Sequence, residues 1–116
     1  MVKKVISYES ILRRVGDEKA FYFYKDIDAY TGIKANSLEE FARILPTLSV
    51  DVIDFHLKRG DFDKWVKDVL GDETLSKNIS KVREKGLIGD NAKKQLIKII
   101  SRRLKDLQKK VAKASS

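Results

Sequence analysis

Residues 20–30 read AFYFYKDIDAY and hold five of the chain's ten aromatic residues. Alternation along a β-strand places Phe21 and Phe23 on one face and Tyr22 and Tyr24 on the other. The two faces differ by a hydroxyl group. Two uses fit that difference: a strand buried between two layers, or a strand whose phenylalanines enter a core while its tyrosines stack unpaired bases. KDIDAYTG then supplies turn chemistry, with Tyr30 in the turn, and GIKA a second short strand. The stretch predicts a β-hairpin.

Working outward, every other segment reads as helix. Ser7 is a candidate N-cap for a short helix with Tyr8, Ile11, Leu12 and Val15 at helical spacing, stopped by Gly16. Ser37 and Glu40 have the spacing of a capping box ahead of LEEFARIL, which Pro46 closes. SVDVIDFHLKRGD is ambiguous: Ile53, Phe55 and Leu57 alternate as in a strand, while Val50, Ile53 and Leu57 fit a helical stripe. The flanking Ser49 and Gly60 favour the helix. Asp61 is then a candidate cap for FDKWVKDVLG, with Phe62, Trp65, Val66 and Val69 on one face, and Asp72 for DETLSKNISKVREKG. From Asp90, the residues Ile97, Ile100, Leu104, Leu107, Val111 and Ala114 follow the alternating three-and-four spacing of a coiled-coil seam. The expected fold is α+β and predominantly helical, a small hairpin packed on short helices. Its expected division is a globular domain over 1–88 and a basic oligomerisation helix over 89–116. The seam can serve a dimer or tetramer, or dock on its own domain.

Composition narrows the chemistry. At 116 residues and 42% hydrophobic content the chain can fill one core. It has no cysteine, one proline and one histidine, so neither a disulfide framework nor a thiolate metal site is open to it. The opening MVKKVISY has only a short apolar run, and no stretch is long enough to span a bilayer, so a cytoplasmic protein without membrane contact is expected. The 36% of charged residues is of the kind heat-adapted proteins favour. Phosphate-cradling glycines and paired metal-binding histidines are missing, and His56 between Phe55 and Leu57 reads as a half-buried, hydrogen-bonded residue. Neither an enzyme nor a bound cofactor is expected.

The charge is unevenly placed. Up to Ser76 there are 12 Lys or Arg against 14 Asp or Glu, a net −2; beyond it 13 stand against 3, a net +10. A basic terminal helix of this kind meets a polyanion or merely keeps the chain in solution.

Three blocks, AFYFYKDIDAYTGIKANSLEEFARIL, VIDFHLKRGDFDKWVKDVLGDETL and the heptad helix, together resemble the ThermoDBP-related proteins. These are a small archaeal family, relatives of a single-stranded DNA-binding protein that replaces the usual OB-fold protein in some thermophiles. The blocks are also similar to a wider group of archaeal and bacterial domains sharing FYF, TG-x-x-A and DF-x-x-W. The resemblance covers residues 18 to 80 and extends to the terminal helix by type. It implies sequence-independent binding of single-stranded DNA by an oligomer, with bases in aromatic-lined grooves and phosphates on basic side chains. On that reading Tyr22, Tyr24 and Tyr30 supply stacking faces, and Lys25, Lys34, Lys58, Arg59, Lys64 and Lys67 supply local charge. Lys94, Lys98 and Arg102 of the terminal helix add long-range attraction. Trp65, Phe21 and Phe23 are expected in the core. A protein-interaction module and an RNA-binding accessory protein are the alternatives.

Overall fold

The computed structural model describes residues 7–115, with side chains through Lys113; MVKKVI at the start and the side chain of Ala114 in the expected seam lie outside the described part. The order is α1 (Tyr8–Leu12), β1 (Phe21–Asp26), β2 (Ala29–Ala35), α2 (Leu38–Ile44), α3 (Val50–Arg59), α4 (Asp61–Trp65), α5 (Glu73–Glu84) and α6 (Gly89–Ser115). A 3-10 turn over Leu45–Thr47 follows α2, and α4 runs on into a π turn over Val66–Leu70. The body measures 42 × 30 × 29 Å.

Local chemistry sets the boundaries. α1 stops at Leu12, earlier than its apolar spacing predicts, because the chain turns extended at Arg13 and Val15 pairs its N–H with the Asn36 carbonyl, 2.7 Å away. Ser37 caps α2 by accepting the Glu40 N–H at 3.1 Å. The Glu40 carboxylate reaches back to the Asn36 N–H at 2.7 Å, one residue before the box predicts. Residues 50–59 are helical, and Gly60 ends them at φ 75°, a left-handed position that a residue with a Cβ resists. Gly60, not Asp61, also precedes α4; the Asp61 carboxylate is engaged elsewhere. Asp72 does cap α5, accepting the Leu75 N–H at 3.1 Å.

The hairpin is antiparallel, with a register that shifts along its length. Phe21 pairs with Ala35, Tyr22 with Lys34 and Phe23 with Ile33, but the register then shifts so that Tyr24 pairs with Tyr30. Continued unchanged, that register would set Tyr24 against Gly32. Gly32 sits at φ 83°, the left-handed conformation a bulge uses to take up extra residues. The loop is shorter than predicted, so Tyr30 lies in β2 rather than in the turn.

The inner hairpin face supplies the core. Phe21 and Phe23 interlock with Phe41 of α2 and with Phe62 and Trp65 of α4. The Trp65 indole stacks on Phe41 at 5.4 Å and donates its N–H to the Lys19 carbonyl at 2.8 Å. Both phenylalanines and Trp65 are therefore core residues.

The terminal helix belongs to the same core. Ala92, Leu96, Ile100 and Leu107 are fully buried, and Ile97 and Leu104 pack partly buried against them. The 27-residue α6 lies across α1, α2, α3 and α5. Of the seam expected between chains, Ile100 and Leu107 are thus enclosed within one chain, Ile97, Leu104 and Val111 are half-buried, and one core crosses the expected boundary at residue 89. Burying Leu96, Ile100 and Leu107 contributes roughly 5–9 kcal/mol of transfer free energy. Arg103 locks the arrangement: its guanidinium takes both oxygens of the buried Asp72 carboxylate, at 2.8 and 3.1 Å, tying α6 to the start of α5.

Candidate nucleic-acid interface

The outer face of the hairpin carries the three tyrosines side by side. The Tyr30 ring lies 5.7 Å from Tyr22 and 5.3 Å from Tyr24, and the bulge at Gly32 creates this group by setting Tyr30 opposite Tyr24. Tyr22 and Tyr24 are half-buried and Tyr30 is 45% exposed. The Tyr22 hydroxyl donates to the Asp17 carbonyl at 2.6 Å, which fixes that ring.

Between the hairpin and α3 runs a groove of about 280 Å³, walled by Tyr22, Tyr24 and Ile27 on one side and by Phe55 and Arg59 on the other. Ile27, at the hairpin tip, is 70% exposed. The Arg59 guanidinium sits 5.0 Å over the Phe55 ring and is held there by Asp61, 3.1 Å from its Nε. A flat cation stacked on an aromatic ring extends the surface available to a base. Beyond Phe55 a wider, more open depression of about 630 Å³ is lined by Lys25 and Lys58 together with Asp26, Asp51 and Asp54. Among the described residues Lys25 and Lys58 form no ion pair.

His56 holds the groove's floor. The Tyr24 backbone N–H donates to its Nε2 at 2.8 Å, so the ring proton is on Nδ1, which lies 2.8 Å from the Asp61 carboxylate. Burial pushes the imidazole below its ordinary value of 6.5, and Asp61 only partly offsets this. The neutral ring therefore fixes the free edge of β1 to α3, and its one lone pair is occupied. Among the described residues no three His, Asp or Glu side chains gather as a metal site, and no helix is long and apolar enough to cross a membrane.

The remaining sequence-predicted residues are dispersed. Lys34 lies across from Tyr22, but its ammonium is 2.7 Å from the Asp17 carboxylate, whose pKa the Lys34 hydrogen bond lowers. Lys64 and Lys67 line a different groove, of about 780 Å³, between the α4 turn and α5, where Lys77 and Lys81 alternate with Asp68 and Glu73. Lys94, Lys98 and Arg102 are exposed on α6. α2 and α3 each pack against the hairpin and against α6, which sets that helix apart from the tyrosines. The residues that sequence reading missed are Phe55, Ile27 and Asp61. Phe55 was findable: it falls outside the stripe of Val52, Ile53, His56 and Leu57 that α3 buries, one turn before Arg59.

No curated protein and no solved structure matches this chain. A family model does match, over residues 1–100, and by it the chain belongs to DUF5752, a family of unknown function.

Proposed function

We propose that this protein binds single-stranded DNA without regard to sequence, stacking unpaired bases in the groove between the hairpin and α3. The observation that carries the reading is the gathering of Tyr22, Tyr24 and Tyr30 on the outer hairpin face, where Tyr22 and Tyr24 line the groove across from Phe55 and its stacked Arg59. Aromatic faces accept any base, and each stacked base contributes about 1–3 kcal/mol. Lys25 and Lys58 stand beside the groove for phosphates. These tyrosines lie outside the enclosed core, to which the hairpin contributes Phe21, Phe23 and Ala35. The resemblance to the ThermoDBP-related proteins supports DNA over RNA.

A fluorescence titration with oligo-dT, oligo-U and a blunt duplex tests this. Trp65 is buried and offers no stacking face, so the informative signal is the tyrosine component of the emission, resolved from that of Trp65. The reading expects quenching by oligo-dT, weaker quenching by oligo-U and none by the duplex. A chain whose tyrosine emission ignores all three has no stacking site in this groove.

A further inference from the structure

A second feature of the molecule lies outside the groove. Lys94, Lys98, Arg102, Lys105 and Lys109 are all exposed, and their spacing of four, four, three and four returns them to one side of α6. Leu96, Ile100 and Leu107 face the core from the opposite side. At 1.5 Å per residue the stripe is about 22 Å long. Among the described residues none of its five cations forms an ion pair. The two acids of α6 do not relieve it: Asp90 is at the helix start, and Asp106 is 3.1 Å from Arg103 and 3.3 Å from Lys110.

Like charges one turn apart destabilise a helix, and here 94 and 98, 98 and 102, and 105 and 109 repel with no ion pair among the described residues to compensate. The exposed part of α5 shows the alternative, with Glu73 placed one turn before Lys77 and Glu84 near Lys81. Solubility alone needs no unmixed stripe. The partner that suits it is a linear array of fixed anions. A lipid surface fits poorly, because the apolar side of α6 is spent in the core and the outer side offers, besides its cations, only small or polar residues such as Asn91, Gln95, Ser101, Gln108 and Ala112. Nor does the stripe carry an aromatic ring, so it meets sugar-phosphate backbone rather than bases and cannot tell paired from unpaired strands.

We infer that the outer face of α6 is a second nucleic-acid surface, which holds the backbone of a separate segment, duplex included. Because α2 and α3 stand between it and the hairpin, one molecule then bridges an unpaired segment in the groove to another segment on the helix. The bridging half rests on the proposed groove; the backbone surface does not.

The test uses the full chain, a labelled blunt duplex and a labelled oligo-dT, with energy transfer between the two reporting a ternary complex. Wild type should bind the duplex with a log–log salt slope of about −4.5, near −0.9 for each of five neutralised phosphates. Reversing the stripe by Lys98→Glu, Arg102→Glu and Lys105→Glu should weaken duplex binding about tenfold or more, abolish energy transfer and leave quenching by oligo-dT in place. If that variant does not fold, the neutral set Lys98→Gln, Arg102→Gln and Lys105→Gln is read instead, with a flatter salt slope expected. Duplex affinity that ignores either set, or wild type that prefers anionic-lipid vesicles to duplex at equal salt, overturns the inference. Stripe-dependent duplex binding without any quenching by oligo-dT would sustain the backbone surface while sinking both the groove and the bridge.

Discussion

The outer face of the hairpin and the outer face of α6 rest on one core and are built to different standards of order. The tyrosines of the hairpin are positioned: a bulge sets Tyr30 against Tyr24, a hydroxyl bond holds Tyr22, and His56 fixes the strand edge beneath them. The stripe of Lys94, Lys98, Arg102, Lys105 and Lys109 on α6 stands exposed on flexible stems and forms no ion pair among the described residues. Rigid aromatic surface suits short-range contact with bases, whereas mobile charge suits long-range attraction to backbone. Two regions that look equally anomalous in sequence therefore have different chemistry to offer.

The largest expected effect tests the shared core. Leu107→Glu places a carboxylate where the structure leaves no exposure, and should destabilise the domain by more than about 4 kcal/mol, enough to abolish a cooperative melt. If α6 instead serves as a free oligomerisation helix, the same change gives a folded protein of lower native mass. Light scattering with circular dichroism separates these outcomes. Removing α6 altogether should likewise unfold the remainder rather than yield a soluble domain.

On the hairpin side, Phe23→Ala should cost roughly 3–5 kcal/mol in denaturant unfolding, because the ring is fully enclosed among Phe21, Phe41 and His56. Arg103→Ala should cost a similar amount, about 3–5 kcal/mol, by leaving the Asp72 carboxylate buried without its partner. Equal penalties would show that hairpin and terminal helix are comparably integrated. A mild Arg103→Ala would mean that α6 docks more loosely than the Arg103–Asp72 geometry implies.

A smaller effect probes order within the tyrosine face. Gly32→Ala meets no neighbouring atom but must hold φ 83°, at a cost of about 1–2 kcal/mol. It should also weaken binding of oligo-dT, since relief of that strain moves Tyr30 away from Tyr24. Gly32→Asn, which tolerates the left-handed region better, should recover part of both losses.

The smallest effect is in pH. His56 has its folded pKa lowered, so its contribution to stability is complete above 6.5 and falls as the pH drops below that value, where the unfolded chain takes up the proton first. Chemical denaturation at pH 7.5 and 5.5 should show this loss, and His56→Gln, which keeps an acceptor, should flatten it. A stability that rises on acidification through this window would contradict the neutral ring.

The sequence made the hairpin legible because Phe and Tyr alternate, and the helices legible through Ser37, Gly60 and Asp72. It could not show the fate of the heptad. The spacing of Ile100, Leu104 and Leu107 is that of any long helix buried along one side, and whether its partner is another chain or α1, α2, α3 and α5 depends on tertiary packing. The placing of Tyr30 was hidden for a related reason: a bulge at Gly32 shifts the register without altering the alternation around it. The tie from His56 to Tyr24 spans 32 residues and has no local signature.

The central claim, that the outer hairpin face stacks unpaired bases, is tested most directly by titrating oligo-dT against wild type, Tyr24→Ala and Phe55→Ala at one salt concentration, with melting temperatures measured alongside. Both side chains wall the groove from opposite sides and neither is part of the enclosed core. The account predicts a loss of about 1–3 kcal/mol of binding free energy for each variant, much the same with oligo-dA, and little change in melting temperature. Unchanged affinity in two variants that remain folded would contradict it, and would leave the basic face of α6 as the site to be pursued.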